Sequence, residues 1–299
     1  MPVSALALVL LAALMHATWN IAAKKAGGDH RFSFIASALV VSLWLPLALV
    51  SGLLDIGQWS VQLWLCMVAS AVLHLVYFNV LLHGYRVADL TVVYPVARGS
   101  APLVTVAGAV LWLGESLSAT GVAGVLAVCG GVFVLAGGPG LLHGLLSGKG
   151  GQGGRPAPRV LAGLRWGAVC GLFIAGYTLV DGYAVKVLLV SPIVLDYLGN
   201  ALRLPFLAPS ALRDLPALAQ AWRTQWRHAL VVAALGPCGY VAVLYAMRLA
   251  PLSHVAPARE LSMLMAALVG GQLLGEGDRR MRLAGAVCIA GGVMLLATA

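Results

Sequence analysis

Ten apolar runs, each about long enough to cross a bilayer, leave this sequence few folds to adopt. They lie at about 3–23, 33–52, 61–82, 90–113 and 118–136, then at 163–185, 192–212, 228–248, 252–275 and 281–298. About 20 apolar residues in a helix span the hydrocarbon core. Lipid offers the backbone no water, so each peptide group must bond within its own segment, and helix is the assignment for every run. Composition closes the alternatives. Of 299 residues, 61% are hydrophobic and 10% charged, against about 25% charged in an ordinary soluble domain. So few charges cannot cover a water-facing surface. The sequence predicts an all-α integral membrane protein with ten transmembrane helices, and excludes a soluble enzyme, a disordered chain and a disulfide scaffold.

A Gly- and Pro-rich link at 138–162 (containing GKGGQGGRPAP) divides the chain into a five-helix unit at 1–137 and another at 163–299. The halves repeat. Arg86-Val87-Ala88 precedes Pro95 as Arg248-Leu249-Ala250 precedes Pro257. Gly114-Glu115 matches Gly275-Glu276 with one residue of slippage, and Ala123, Ala127 and Gly131 match Ala284, Cys288 and Gly292. Small residues at every fourth position predict close helix–helix approach at those triplets. Five spans per half, an odd number, make the second copy enter the bilayer upside down: two inverted five-helix repeats. Between spans seven and eight, Leu215, Leu218, Trp222 and Trp226 share one side of a segment whose Arg213, Arg223 and Arg227 are polar. That pattern predicts a short helix lying in the membrane interface, with a polar loop as the alternative.

The formal net charge is +9, but the basic residues are scattered beside apolar runs and form no nucleic-acid footprint; they read as topology signals. Links after the odd-numbered spans carry most of the Lys and Arg, which predicts that side to be cytoplasmic and both termini to lie outside. The first run has no basic segment before it and reads as a retained span. Cys66, Cys129, Cys170, Cys238 and Cys288 all sit in apolar stretches, with no C-x-x-C pair and no metal-ligand spacing, as small buried hydrophobes do. No metal and no cofactor is expected.

Ionisable groups within spans carry the functional expectations, because lipid makes them costly. Tyr94-Pro95-Val96-Ala97-Arg98 in the fourth span has a counterpart in Ala256-Pro257-Ala258-Arg259-Glu260 in the ninth. Proline removes a backbone donor and opens or kinks a helix, with Thr91 and Ser253 placed four residues upstream. A repeat-related pair of such helices would bring Arg98 and Glu260 to the middle of the protein. Arg98 would then grip a carboxylate or phosphate and Glu260 an amine or proton; alternatively Glu260 forms a structural ion pair, with Arg98 or with Arg259, that ties the halves together. In the first span His16, Trp19 and Asn20 share a face, as do Tyr177 and Asp181 in the sixth. Each set lines either a cavity or a helix–helix seam. Asp181 is the candidate for proton coupling. His74, Tyr77 and Asn79, with Tyr240 and Tyr245, are weaker cavity candidates, and Asp196, Asn200 and Arg203 read as a local helix network. Glu115 and Glu276 read as caps on the helix that follows each of them, and Lys24 and Lys186 as side chains snorkelling to opposite surfaces.

With Trp19-Asn20…Lys24, Tyr94-Pro95-Val96-Ala97-Arg98, Gly114-Glu115 and Gly275-Glu276 in this order and doubled, the chain resembles, over essentially its whole length, the EamA-type transporters of the drug/metabolite transporter superfamily. The resemblance implies a carrier of small metabolites, often amino acids, in the bacterial inner membrane, with a central cavity between the halves. It places His16, Trp19, Asn20, Tyr94, Arg98, Tyr177, Asp181 and Glu260 near the substrate path. It also implies cytoplasmic termini, opposite to the distribution of Lys and Arg. The expected partners are a small-molecule substrate and the lipid bilayer; oligomeric state is left open. No G-x-x-x-x-G-K-[ST] phosphate loop is present, so the leading expectation is a secondary carrier. An intramembrane enzyme would need clustered carboxylates, H-E-x-x-H or a Ser/His or Ser/Lys couple, none of which the sequence supplies. A non-transporting subunit or sensor would lack a soluble domain to receive a signal.

Overall fold

Almost everywhere the sequence offers an uninterrupted apolar run, the chain is helical. The structure, a computed structural model, describes residues 1–27, 29–88, 90–135, 138, 157–265 and 279–299. Gly275, Glu276, the side chains of Lys24 and Thr91 and most of the 138–162 link lie outside the described residues. The helices are α1 (Val3–Ala26), α2 (His30–Val50), α3 (Val61–Val87), α4 (Leu90–Leu113), α5 (Ala119–Leu135), α6 (Ala157–Lys186), α7 (Pro192–Ala211), α8 (Leu215–Leu249), α9 (Leu252–Ala258) and α10 (Arg279–Thr298), with a 3-10 turn at Leu53–Gln58. No strand occurs among the described residues. Polar caps start the helices where the sequence supplies them: Asp29 accepts from the amides of Arg31 and Phe32, Ser60 from Leu63 and Asp214 from Ala217.

Helices α1, α2, α3, α4, α6 and α8 are long and apolar enough to cross a membrane, and α5 and α10 are shorter apolar helices. Of the most apolar 18 residues of α2 only 22% are buried, and of α3 only 17%. Leu43, Leu45, Leu47, Leu65 and Val72 are among the side chains left on the outside. Water would not tolerate such a face; hydrocarbon does. The protein is a multi-pass membrane protein.

The expected interfacial helix at 213–227 takes a different form. Residues 215–249 are one helix of 35 residues, about 52 Å at 1.5 Å per residue, well beyond a hydrocarbon core of about 30 Å. Nothing between Pro216 and Pro237 interrupts it, so its first turns belong to the same helix as the apolar run that follows. Leu218 and Ala221 pack against Phe32, Ile35 and Ala36 of α2, while Leu215, Trp222 and Trp226 stay exposed.

The two halves interlock in exchange. Helix α1 packs mainly on α8, and its counterpart α6 on α4 and on α3; α2 packs on its own counterpart α7, α5 on α10, and α4 on α9. Swapping the halves maps the α1–α8 contact onto α6–α3 and the α2–α7, α5–α10 and α4–α9 pairs onto themselves. Glycines make two of the contacts possible. A Cβ on Gly131 would lie 2.8 Å from the carbonyl oxygen of Gly285, and one on Gly292 2.7 Å from that of Gly124, so α5 and α10 touch backbone to backbone. The expected strips share only Gly131 and Gly292 with this seam. Ala123, Ala284 and Cys288 are exposed, because the closest approach follows the residues that have no Cβ. The sequence reading also passed over Gly163, Gly167 and Gly171, at every fourth position of α6. They seat that helix on α4, where a Cβ would meet the Val92 side chain at 2.8 Å and the carbonyls of Val93 and Ala97 at 2.8 and 2.9 Å.

Candidate functional site

The glycine seat of α6 on α4 turns Arg98 toward the other half. Its Nε lies 3.0 Å from Glu260 Oε2, and its Nη2 donates to Ser262 Oγ at 3.3 Å. Arg98 is 9% and Glu260 1% exposed. The two prolines behave differently. Helix α4 runs unbroken through Pro95 and Pro102, whereas α9 ends one residue after Pro257 and the chain turns at Arg259 and Glu260 before becoming helical again at 261–265. That turn carries Glu260 and Ser262 to the guanidinium. Of the two arginines the sequence offers Glu260 as a structural partner, Arg98 rather than Arg259 pairs with it, tying α4 to the segment after α9.

Beside it, three helices bring aromatic and polar groups together. His74 of α3 stacks on Tyr177 of α6, ring centroids 3.9 Å apart at 21°, and Tyr77 meets Tyr177 edge-on at 5.8 Å. Asp181, fully buried, accepts a hydrogen bond on Oδ2 from Tyr240 Oη of α8. Ser70 sits beneath His74, whose Nδ1 is 2.9 Å from the Ser70 carbonyl oxygen. Helix α1 adds His16, whose Nδ1 accepts from Trp19 Nε1 at 3.3 Å. His16 is within range of the charges of Arg98 and Arg259. Asn20 is exposed and donates to the carbonyl of His16 on its own helix, so it does not join the cluster. Tyr94, half-buried, lies near Arg98 and Tyr77. Asn79 likewise points outward to Leu75 O, and Tyr245 lies beneath Arg248.

The electrostatics of the cluster are unusual for a membrane interior. Arg203 and Arg259 each have a buried Nε without a partner, and neither Asp181 nor Asp196 has a counter-ion within salt-bridge distance among the described residues. Asp196 accepts from Asn200 Nδ2 at 3.2 Å, which is the expected local contact. Arg203, however, does not pair with it, and it influences His74 and Asp181 as well. His16, His74, Tyr77, Tyr240 and Asp196 lie deep among the helices yet keep accessible surface. Ser70, Ser262 and Arg203 escaped the sequence reading as site members, since nothing in one helix shows which neighbour its polar groups will meet. The five cysteines are free, and no grouping of residues suited to a metal occurs among the described residues.

Glu115 corrects two expectations. It does not cap α5, the helix that follows it. Gly114 adopts a left-handed φ of +67°, which only glycine takes without strain, and the reversal throws Glu115 across to the second half. There Oε1 accepts from the amide of Leu252 at 2.7 Å and Oε2 from that of Ser253 at 2.8 Å, capping α9. Lys186 does not snorkel; its Nζ donates to Glu115 Oε1 at 2.8 Å and to the Ala250 carbonyl at 3.3 Å. A carboxylate within reach outcompetes the interface. Partial burial works to raise the Glu115 carboxyl, but Lys186 and the two amides outweigh it and hold it below its ordinary value of 4.5. A depressed folded-state value gives stability that is complete above the unfolded value and is lost as pH falls through the folded one. The melting temperature of the detergent-solubilised protein is therefore expected to drop below about pH 4.5 more steeply in wild type than in Glu115→Gln, and equal slopes would refute this linkage.

The model of the EamA-like transporter family matches residues 3–137 and again residues 161–298. None of the curated proteins compared with the chain matches it. A protein of known crystal structure is similar over 99% of this chain and 96% of its own, with 18% identity and a TM-score of 0.70, which shows a shared fold.

Proposed function

We propose, from the premise that this chain belongs to the EamA-like transporter family, that it is a secondary carrier moving a small polar or amphiphilic metabolite by alternating access. The observation that carries this reading is the set of four charged side chains, Asp181 of α6, Asp196 and Arg203 of α7 and Arg259 after α9, without counter-ions among the described residues. Buried charge without a partner is costly, and a structural core would have replaced it with apolar residues. Two negative and two positive groups beside a ring of aromatics suit an amino-acid-like zwitterion or an organic anion. His16, Trp19, Tyr94, Arg98, Tyr177 and Glu260 would contact it, with Asn20 at the outer edge of α1. Asp181, which Tyr240 holds by only one oxygen, is the candidate for carrying a coupled proton.

On this reading all ten apolar runs span the bilayer, probed as two inverted repeats at 1–137 and 163–299, and the plasma membrane of a bacterium is the site of action. The exchange packing of α1 on α8 and α6 on α3 supports a rocking motion of one bundle against the other around a midplane site. The test is saturable uptake or efflux of a mixed metabolite pool by purified protein in vesicles, with and without a pH gradient. Saturable flux is expected, stimulated by the gradient in wild type and indifferent to it in Asp181→Asn. Absence of any saturable flux would refute the carrier, and a gradient response preserved in Asp181→Asn would refute the role of Asp181.

A further inference from the structure

Alternating access requires each end of the path to close and open, and among the described residues the ties at the two ends of this bundle differ. Both termini lie at one end, where the Met1 amine donates to the Ala297 carbonyl at 2.8 Å and lies near His254. Here Glu115, on the α4–α5 turn of the first half, takes three donors, all from the second half: Lys186 Nζ and the amides of Leu252 and Ser253. Its side chain is 10% exposed, and Ser253 beneath it is fully buried. Alongside, Arg248 donates to the carbonyls of Val185, Leu189 and Val190 at 3.0, 2.9 and 2.6 Å. These bonds hold the α6–α7 connection at the same end, where Leu189 sits at a strained φ of +57°. At the opposite end Arg31 bridges the capping carboxylates Asp29 and Asp214 at 3.0 and 3.5 Å, but both are about half exposed. Solvent screens that contact, and pairs of this kind hold little.

We propose that Glu115 is the latch of a gate that closes the substrate path at the end bearing both termini. Opening transfers Glu115 from the α9 amides and Lys186 to water, so that the first turn of α9 and the end of α6 separate from the α4–α5 turn. Three charge-assisted bonds on one carboxylate make the closed state firm, and the carboxylate is recovered by water when they break, which is what a reversible latch needs. The inference rests on the carrier reading, but its test separates the two.

In a background with the five native cysteines replaced by Ala, Ser253→Cys places one thiol under the latch. In vesicles of known orientation it is expected to react slowly with a membrane-impermeant maleimide, and roughly tenfold or more faster when Glu115→Gln is added, since a charge-assisted hydrogen bond is lost. A thiol at exposed Val187 should react equally in both. For a gate that survives mutation only in the closed form, Glu115→Cys with Ser253→Cys, joined by a short reducible cross-linker, is expected to stop flux that reductant restores. Equal thiol reactivity with and without Glu115, or full flux through the cross-linked protein, overturns the latch. Loss of flux already in the unlinked wild type overturns the carrier reading instead.

Discussion

Glu260→Gln is expected to lower saturable flux about a hundredfold, the loss that follows when a charged contact to substrate worth up to roughly 3 kcal/mol is removed. The carboxylate lies 3.0 Å from Arg98 Nε and is 1% exposed, so the amide would leave the guanidinium without a counter-ion inside the bundle. Single variants alone would not tell a tie from a binding group, because either role fails when one partner is removed. The double variant Arg98→Met/Glu260→Leu does. Apolar residues of similar volume can replace a buried pair without loss of stability, and often with a gain. The double variant is therefore expected to melt within a few degrees of wild type in detergent while transporting no substrate. Recovery of flux with the apolar pair would mean that Arg98 and Glu260 only join the halves.

The second large effect is steric. Gly131→Ala and Gly292→Ala are each expected to destabilise the protein by about 1–3 kcal/mol, as overpacking does, because the added methyl would sit 2.8 or 2.7 Å from a carbonyl oxygen of the facing helix. Backbone cannot move aside as the tip of a flexible side chain can; α5 and α10 would have to separate along their length. Gly130 and Gly291, one residue away in each case, have nothing within 4 Å of the same position. There alanine is expected to be neutral or to stabilise by up to about 1 kcal/mol, the helix preference of Ala over Gly. Thermal melting of the four single variants checks the contrast, and equal shifts for Gly130→Ala and Gly131→Ala would mean that the seam does not lie where the glycines place it.

Reading these residues from sequence succeeded where the physics is local. Helix positions, the multi-pass character and the doubled motifs followed from runs of apolar residues and from spacing, and the family match over 3–137 and 161–298 agrees with them. An ion pair at Glu260 was legible as an alternative, since charged residues placed alike in repeated spans have few other partners, but whether Arg98 or Arg259 forms it depends on how the helices pack. The reading failed where a group's partner lies on a distant helix. Glu115 looked like a cap for its own neighbour, yet it caps α9, 137 residues away. Lys186 looked destined for the interface. The Gly163, Gly167 and Gly171 strip was visible as spacing, but in a helix with apolar residues all round nothing marked that face as the contact.

The amino-acid order alone sets the medium and the secondary structure: a chain this apolar must lie in lipid, and in lipid each run must satisfy its own backbone as helix. Tertiary structure alone decided which faces meet. In a soluble helix the polar face points outward and so reveals the buried one, but hydrocarbon removes that distinction, and packing of glycines, ion pairs and capped ends sets the rotation of each helix instead. The position of every functional side chain in this protein depends on those rotations.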